Sequence, residues 1–300
     1  MVAERADERS GYSPTQTAAY LKCAVYWWLS YKELGHGVIP RIGGRRAADL
    51  LVGRAAHAGL AQWYAPSAGT ADIDAAVSSA IAVIGPGIQA MRLPGLLAEV
   101  VSEEAVAADV RRYLEGYAKK YSMEQEWTVL AVEQRFEKPC ACIADLVVRY
   151  PGGVLAVVDH KFHSTKAKIG DLVEQFSMNL QASTLLRAAT LHYGQPVRRF
   201  VLNAISKQAR MTPDCYQREP IEYDDRLLEI AADMTQATWD AMHAATEESV
   251  QPNWEACHGR YGRCEYVPLC QSGWEPAVRD NLYVIKPPRE DVSAPIIQHE

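Results

Sequence analysis

Two neighbouring segments of this 300-residue chain are apolar on both faces and are joined by Pro151-Gly152-Gly153. Segments 140–150 and 154–161 have the β-branched composition of strands, and a Pro-Gly-Gly sequence favours a tight turn between them. Strands without a polar face are typical of a sheet that is covered on both sides. We therefore expect a buried antiparallel hairpin, and this hairpin limits the folds that the chain can adopt.

The predicted hairpin carries two acidic residues at opposed positions. If Tyr150 pairs with Val154, Asp145 lies opposite Asp159, and the Cβ atoms of opposed residues are about 4.5–5.5 Å apart. Lys161 follows Asp159 by two residues and points to the same face. Two buried carboxylates repel each other and lose hydration, so a divalent metal between them is the usual compensation. A register slip of one residue would instead separate the two Asp side chains onto opposite faces.

The rest of the chain predicts helices before the hairpin and a crossover after it. Helices are expected over 14–31, 45–64, 72–84 (closed by Gly85-Pro86-Gly87), 96–121, 171–193 and 224–248, and further strands over 127–136 and 197–206. The strand–helix–strand order after the turn places the last strand parallel to the one before it. We expect one integrated domain with a helical region over 1–125, a core sheet and crossover helix over 126–210, and a C-terminal helix, cysteine loop and tail over 211–300.

Two polar residues on the predicted helices extend the carboxylate pattern. His57 ends the sequence Gly53-Arg54-Ala55-Ala56-His57, and Gln181 follows Lys161 by twenty residues. Alone, His57 is more typical of a core histidine and Gln181 of a surface glutamine. Their order around Asp145 and the tripeptide Asp159-His160-Lys161, below called the Asp-x-Lys motif, resembles the RecB-like branch of the PD-(D/E)xK nucleases. Leu185 stands where that branch has a tyrosine, which leaves the role of Gln181 less defined.

This resemblance covers about residues 13–270 and implies a fold and a reaction. The implied fold is α/β, with a mixed central sheet flanked by helices, a helical N-terminal insertion and a cysteine-held C-terminal segment. The implied reaction is hydrolysis of DNA with Mg²⁺ or Mn²⁺, with an exonuclease on single-stranded ends favoured, in phage recombination, DNA repair or CRISPR adaptation. Two alternatives stay open: a catalytically weak DNA-binding or assembly protein on this fold, and a small-molecule metal hydrolase.

The resemblance also implies a role for each residue. Asp145, Asp159 and His57 would bind the metal together with the backbone carbonyl of His160. Lys161 would orient the attacking water or stabilise charge on the phosphate oxygens. Gln181 would position that water or the DNA strand.

Four of the seven cysteines have the arrangement of a metal centre. Cys257, Cys264 and Cys270 lie in a loop-like segment, and Cys23 lies on the first predicted helix. Four thiolates suit zinc or an iron–sulfur cluster, and the spacing does not separate the two. The plain alternative is a set of reduced cysteines without a metal. One cysteine before the nuclease core and three after it resembles AddB-type and CRISPR-associated RecB-like nucleases, which favours a [4Fe–4S] cluster.

The other three cysteines are expected outside this centre. Cys140 and Cys142 share a strand, and Cys215 lies in a predicted loop without a cysteine nearby in the sequence. Cysteine is one of the most frequently buried residues, so a packing role explains these three.

The charge distribution bears on a DNA partner. A net charge of −6 argues against a nucleic-acid partner, but the stretch from residue 22 to residue 54 has six basic and two acidic residues. The basic ones are Lys22, Lys32, Arg41, Arg45, Arg46 and Arg54. Taken alone, such a stretch is more typical of a solvated charged face. The resemblance implies a basic DNA channel with stacking aromatics, for which this stretch with Trp27, Trp28 and Tyr31 is the candidate, and both tryptophans suit a core equally well.

The sequence also predicts a cellular location. Residues Met1–Ser10 lack the apolar segment of a secretory signal, and no uninterrupted apolar run appears long enough to span a bilayer. We therefore expect a cytoplasmic protein without a membrane partner.

Overall fold

The structure is a computed structural model that describes residues 11–32, 38–40, 44–65, 72–92, 101–122, 126–164, 169–259 and 262–285. The helices are α1 (Pro14–Lys22), α2 (Ala24–Tyr31), α3 (Gly44–Trp63), α4 (Ile73–Ala82), α5 (Ile84–Arg92), α6 (Glu103–Tyr121), α7 (Ile169–Ser177), α8 (Leu180–Tyr193), α9 (Asp225–Ala244), α10 (Val267–Gln271) and α11 (Pro276–Leu282). The strands are β1 (Val38–Pro40), β2 (Thr128–Phe136), β3 (Cys142–Arg149), β4 (Leu155–Ser164), β5 (Arg199–Lys207), β6 (Tyr216–Glu222), β7 (His258–Gly259), β8 (Gly262–Arg263) and β9 (Tyr283–Ile285). The segment 1–10, on which the secretory-signal prediction rests, lies outside the described residues.

A mixed five-stranded sheet in the order β2-β3-β4-β5-β6 forms the centre of the structure. β4 and β5 are parallel, whereas the other neighbouring strands are antiparallel. The central strands are buried on both faces, since Leu146, Val147, Val157 and Val158 are all 0% exposed. The predicted hairpin, the crossover and the α/β class are therefore confirmed.

The edge strand β6 was not predicted from the sequence. Cys215, expected in a loop, is buried at the end of a 3-10 turn that leads into β6. The strand has mostly polar residues and contains Pro220, which pairs with Val201 of β5. Proline cannot donate a ladder hydrogen bond and is tolerated at a sheet edge. Because the composition is not typical of a strand, the sequence gives no local signal for β6. The strand forms because it pairs with β5.

Helices cover both faces of the sheet. On one face, α8 packs its small and aliphatic residues against the central strands. The residues shared in this core include Ala182, Leu185, Leu186, Ala189, Val147, Val157, Phe200 and Leu202. On the other face, α3, α4, α5 and α6 form a second core that reaches Ile205 of β5 and Tyr216 of β6. The side chains of α3 and α8 therefore approach the sheet from opposite sides.

Two predicted helices are each divided by an extended residue. The helix expected over 171–193 breaks at Asn179, whose side chain caps α8 by accepting from the backbone N–H of Gln181 at 2.9 Å. Asparagine is a strong N-cap, and this preference ends α7 before it. The helix expected over 14–31 breaks at Cys23, which has extended backbone (φ −167°, ψ 120°). No helix-breaking residue marks this position, so tertiary contacts of Cys23 decide it.

The predicted closure at Gly85-Pro86-Gly87 is wrong, because these residues lie in the first turns of α5. Proline is accepted in a first helical turn, where its missing N–H has no partner to lose. A Cβ atom added at Gly87 would lie 2.6 Å from Leu51 Cδ2 of α3. Glycine here permits close packing of two helices and does not end a helix.

The C-terminal segment docks on α2. A core of Val25 and Leu29 from α2 with Tyr266, Leu269 and Tyr283 joins the two parts of the chain. β9 pairs with β1, and β7 pairs with β8 in a short hairpin. The division into helical, sheet and C-terminal regions stays a prediction, although these contacts show that the first and last regions pack together.

One stretch, Ile73–Met91, is long and apolar enough to cross a membrane by length and composition, contrary to the expectation from the sequence. It consists of most of α4 and α5, and 33% of it is buried in the structure. A core helix passes the same test, and here Ala76, Val77, Ala80 and Ile84 pack in the core with α3 and α6. The stretch is therefore weak support for a membrane span.

Candidate metal centre and active site

β3 and β4 pair in the predicted register, and their regular pairing ends at the two aspartates. Leu146 pairs with Val158, so Asp145 and Asp159 occupy the next opposed positions. At this point a side chain replaces the neighbouring strand as hydrogen-bond partner. Asp145 Oδ2 accepts a hydrogen bond from the backbone N–H of His160 at 2.6 Å. Asp145 thus holds the backbone of the Asp-x-Lys motif directly.

Asp159, Lys161 and Gln181 form a closed triangle of polar contacts. Lys161 Nζ lies 2.8 Å from Asp159 Oδ2, and Gln181 Nε2 donates to Asp159 Oδ1 at 2.8 Å. Lys161 Nζ also donates to Gln181 Oε1 at 3.3 Å. Burial, followed by the charge of Asp145, raises the pKa of Asp159 to about 6 against the opposing effect of Lys161. Gln181 is therefore placed to orient both partners, and the buried Leu185 packs in the core below it.

His57 reaches the site from α3. Its Nδ1 lies 3.3 Å from Asp145 Oδ1, and both side chains are largely buried. Burial disfavours the charged form of His57, but the neighbouring Asp145 carboxylate outweighs burial and raises the pKa of His57. Burial likewise opposes ionisation of Asp145, yet His57 and the His160 backbone lower the pKa of Asp145 to about 2. The two groups form an ion pair.

Glu133 on β2 completes this group and was missed in the sequence. Its neighbours Val132 and Gln134 pair with Leu146 and Ala144, which places Glu133 opposite Asp145. The backbone of Glu133 has a left-handed φ of 49°, an uncommon conformation for a residue other than glycine. Burial and the Asp145 carboxylate raise the pKa of Glu133 to about 7, although the side chain has access to solvent.

The donor atoms of His57, Glu133 and Asp145 all lie within 4.8 Å of one another. One imidazole nitrogen and two carboxylates are a donor set that suits Mg²⁺ or Mn²⁺. Among the described residues, no other three His, Cys, Asp or Glu side chains bring their ligand atoms within 4.8 Å of one another. Asp159 is not a member of this group. The predicted sharing of one metal by Asp145 and Asp159 stays a prediction.

His160 places its backbone and its side chain on different sides. The backbone N–H contacts Asp145, whereas the ring is 2% exposed and lies against Asn203 of β5. Burial lowers the pKa of His160 to about 3, so the ring is neutral. Ligation of the metal by the His160 carbonyl stays a prediction.

The four predicted cysteine ligands lie together at the junction of α1, α2 and the C-terminal segment. Asn253 links two of them, because its backbone N–H donates to Cys23 Sγ at 3.3 Å and its carbonyl accepts from Cys257 Sγ at 3.8 Å. The backbone N–H of Cys264 donates to the carbonyl of Cys257 at 2.7 Å. Burial, and then the nearby thiols of Cys264, Cys23 and Cys257, raise the pKa of Cys270 to about 11.

The other three cysteines lie elsewhere, as expected. A hydrogen bond between the thiols of Cys140 and Cys142 lowers the pKa of Cys140 and raises the pKa of Cys142. Cys140 is buried in a core with Trp27 and Trp239, and Cys215 is buried beside α6.

The predicted stacking surface is partly wrong. Trp27 is 0% exposed and packs between Tyr12 and Tyr20, so it belongs to the core and is closed to a DNA base. Trp28 and Tyr31 are half-buried beside it. Arg41 and the side chains of Arg45 and Arg46 lie outside the described residues.

A sequence profile of the PD-(D/E)XK nuclease superfamily matches residues 12–271. No curated protein sequence matches the chain significantly. Among solved structures, a candidate exonuclease from Eubacterium rectale is similar at 14% identity, with 88% of each chain covered and a TM-score of 0.48. The alkaline exonuclease LHK-Exo from Laribacter hongkongensis is similar at 15% identity and a TM-score of 0.30, over 68% of this chain and 88% of that one. Its complex with dAMP is similar at 17% identity and a TM-score of 0.30, over 65% and 92%.

The matched residues 12–271 include His57, Glu133, Asp145, the Asp-x-Lys motif and the four clustered cysteines. The profile therefore covers the sheet, the site and the part of the C-terminal segment that carries the cysteines. The chain belongs to the PD-(D/E)XK nuclease superfamily.

Proposed function

We propose that the chain is a divalent-metal-dependent deoxyribonuclease that degrades DNA from its ends. The observation that carries this proposal is the convergence of His57, Glu133 and Asp145 within 4.8 Å, beside the Lys161–Asp159 pair. The donor set suits Mg²⁺ or Mn²⁺, and membership in a nuclease superfamily supplies the reaction class.

Each residue of the site has a chemical task in this proposal. His57, Glu133 and Asp145 would hold the cation, with Asp159 and the His160 carbonyl as the further predicted ligands. A cation held there supplies a Lewis acid that activates water and neutralises charge on the scissile phosphate. The Lys161 ammonium, oriented by Asp159 and Gln181, offers hydrogen bonds to the charge that develops on the phosphate oxygens.

Single-stranded ends are the substrate that we favour. This choice follows the resemblance to RecB-like nucleases, whose usual substrate is a DNA end. The same resemblance points to a role in phage recombination, DNA repair or CRISPR adaptation, and the cytoplasmic location expected from the sequence stays a prediction.

We further propose that Cys23, Cys257, Cys264 and Cys270 bind a [4Fe–4S] cluster. The chemistry of the donor set fits, since four thiols from two distant parts of the chain lie around one point. The resemblance to AddB-type and CRISPR-associated RecB-like nucleases favours a cluster, and zinc is the alternative occupant of the same four thiols.

Digestion of end-labelled DNA tests the nuclease. Linear single-stranded, linear duplex and closed circular DNA are incubated with Mg²⁺, Mn²⁺ or a chelator. We expect mononucleotides or short products from linear DNA with either metal, and intact circles. Rapid cleavage of circles would exclude an exonuclease, and binding without cleavage would favour the DNA-binding alternative. Hydrolysis of small phosphoesters alone would favour the small-molecule hydrolase.

An absorption spectrum of anaerobically purified protein tests the cluster. We expect a brown protein with a broad band in the visible range and four iron atoms per chain, as the formula [4Fe–4S] requires. One equivalent of zinc in a colourless anaerobic preparation would contradict the cluster and leave the four-cysteine site.

A further inference from the structure

The middle residue of the Asp-x-Lys motif, His160, forms a buried polar pair with Asn203 on the sheet face opposite Asp159. His160 of β4 and Asn203 of β5 are direct partners in the parallel register. His160 is 2% exposed and Asn203 is 0% exposed. Neither Asn203 nor the ring of His160 has a task in the mechanism described above.

The pair belongs to a network that joins four elements of the fold. Asn203 Nδ2 lies 2.6 Å from His160 Nδ1 and donates to the Tyr117 hydroxyl of α6 at 2.9 Å. Tyr64 is the residue after α3, and its ring stacks on the His160 ring. The ring centres are 6.0 Å apart and the ring planes differ by 13°. Arg218 of β6 donates to the hydroxyls of Tyr64 at 2.6 Å and of Tyr117 at 3.1 Å. The His160 ring is thus held on its edge and on its face.

This arrangement is more costly than an apolar pair would be. Val158 and Val201, each two residues earlier on the same strands and the same face, pack as ordinary core residues. Asn203 Oδ1 and His160 Nε2 are buried, and no partner for either is found in the described part of the chain. Buried polar groups that are only partly satisfied destabilise a core, and they are retained where they fix one conformation.

The conformation fixed here is that of the motif backbone. Regular pairing of β3 with β4 ends at Leu146 and Val158, so the backbone of His160 loses the neighbouring strand on that side. Its N–H is held by Asp145 Oδ2 at 2.6 Å, and its ring is held by Asn203 from β5. The His160 residue is therefore anchored at two points, and without the anchor on its ring the backbone between Asp159 and Lys161 has only the hydrogen bond to Asp145 to hold it on that side.

We propose that Asn203 is a positioning residue that acts through the His160 ring. By fixing this ring it sets the place of Asp145, Asp159 and Lys161 relative to one another. This inference deepens the proposed function, because it assumes that these residues hold a cation and act on DNA.

The test compares Asn203→Val with Asn203→Thr, which have the same shape and differ in one hydroxyl. Only the threonine can donate a hydrogen bond to His160 Nδ1. Loss of a group that holds the residues around a metal in place lowers metal affinity or activity about 10–100-fold. We expect a fall of this size for Asn203→Val, both in Mn²⁺ affinity and in kcat. We expect Asn203→Thr to stay within about threefold of the wild type, and KM for DNA to change less than about twofold in both.

A double-mutant cycle with His160→Phe separates positioning from packing. If Asn203 acts through the ring, Asn203→Val should add no further loss in Mn²⁺ affinity when His160 is already Phe. Thr235→Val on α9 is the matched control, since Thr235 is also buried and its hydroxyl donates within its own helix, to the Ala231 carbonyl at 2.6 Å. We expect this control to match the wild type in both measurements.

Equal losses in the Val and Thr variants, or an undiminished loss in the His160→Phe background, would overturn the inference. If Asn203→Val does not fold, Asn203→Ala and Asn203→Ser give the same comparison of one hydroxyl. The Mn²⁺ affinity, measured by electron paramagnetic resonance, does not depend on DNA cleavage. A wild-type protein that binds Mn²⁺ but does not cut DNA would contradict the proposed nuclease. The role of Asn203 would still be tested by the Mn²⁺ affinities of the variants.

Discussion

Lys161 is the residue whose loss should affect cleavage most directly. It is held by Asp159 at 2.8 Å and by Gln181 at 3.3 Å, so its charge is fixed at the site. Removal of one preorganised donor to a reacting phosphate or oxyanion costs about 10²–10³-fold in rate. We expect Lys161→Ala to lose at least that much DNA cleavage.

The matched control for this variant is Lys207→Ala. Lys207 also pairs with an aspartate, Asp49, at 2.6 Å, at the end of the neighbouring strand. Its activity and the melting temperatures of both variants should stay near the wild type. Cleavage by Lys161→Ala at the wild-type rate, in Mg²⁺ or Mn²⁺, would remove Lys161 from the mechanism.

Glu133 gives a second prediction at the residue scale. Its carboxylate belongs to the group that converges within 4.8 Å. Glu133→Gln keeps the shape but removes a charged donor, so we expect Mn²⁺ affinity to fall about 10-fold or more. Glu137→Gln is the control, because Glu137 is exposed and pairs with Arg135 at 2.9 Å. Unchanged Mn²⁺ affinity in Glu133→Gln would show that Glu133 is not a ligand.

At the scale of elements, the packing of α6 against β6 depends on Gly116. A Cβ atom at this position would lie 2.1 Å from the hydroxyl of Tyr216, which donates to the Tyr113 carbonyl at 2.9 Å. Tyr216 is 1% exposed and has little room to move. Overpacking of this kind costs about 1–3 kcal/mol, and we expect Gly116→Ala to lower the free energy of unfolding accordingly.

Gly53→Ala on α3 provides the opposite case. Among the described residues, no atom outside the nearby backbone of α3 lies within 4 Å of a Cβ added at Gly53. Alanine in a helix interior is favoured over glycine by about 0.5–1 kcal/mol, so we expect a gain in stability. Urea unfolding of both variants checks the pair, and a stabilised Gly116→Ala would contradict the packing described between α6 and β6.

At the scale of the whole molecule, the four clustered cysteines connect the two ends of the described chain. Cys23 lies between α1 and α2, and the other three lie beyond α9. If these thiols hold the proposed cluster, loss of one of them should release it and loosen the segment 251–272. We expect Cys257→Ser to be colourless, to melt at a lower temperature and to be cut faster by protease in this segment.

Cys142→Ser is the control for this prediction, since Cys142 is also half-buried but lies in the sheet. Its visible absorption and proteolysis pattern should match the wild type. A Cys257→Ser protein with full colour and unchanged proteolysis would exclude Cys257 as a ligand.

The sequence alone determined the central hairpin and its register. Pro151-Gly152-Gly153 sets a turn, and apolar residues on both faces of the flanking strands bury them. These are local properties, and together they place Asp145 opposite Asp159. The α/β class and the parallel crossover follow from the order of strand and helix periodicity.

Only the tertiary structure decided which side chains meet. Glu133 joins the site because β2 pairs with β3 in a register that places Glu133 opposite Asp145. Cys23 breaks a helix because the C-terminal segment docks against it, and Trp27 is buried by α9. β6 is a strand only beside β5. Such contacts join residues far apart in the chain, so no local pattern in the sequence carries them.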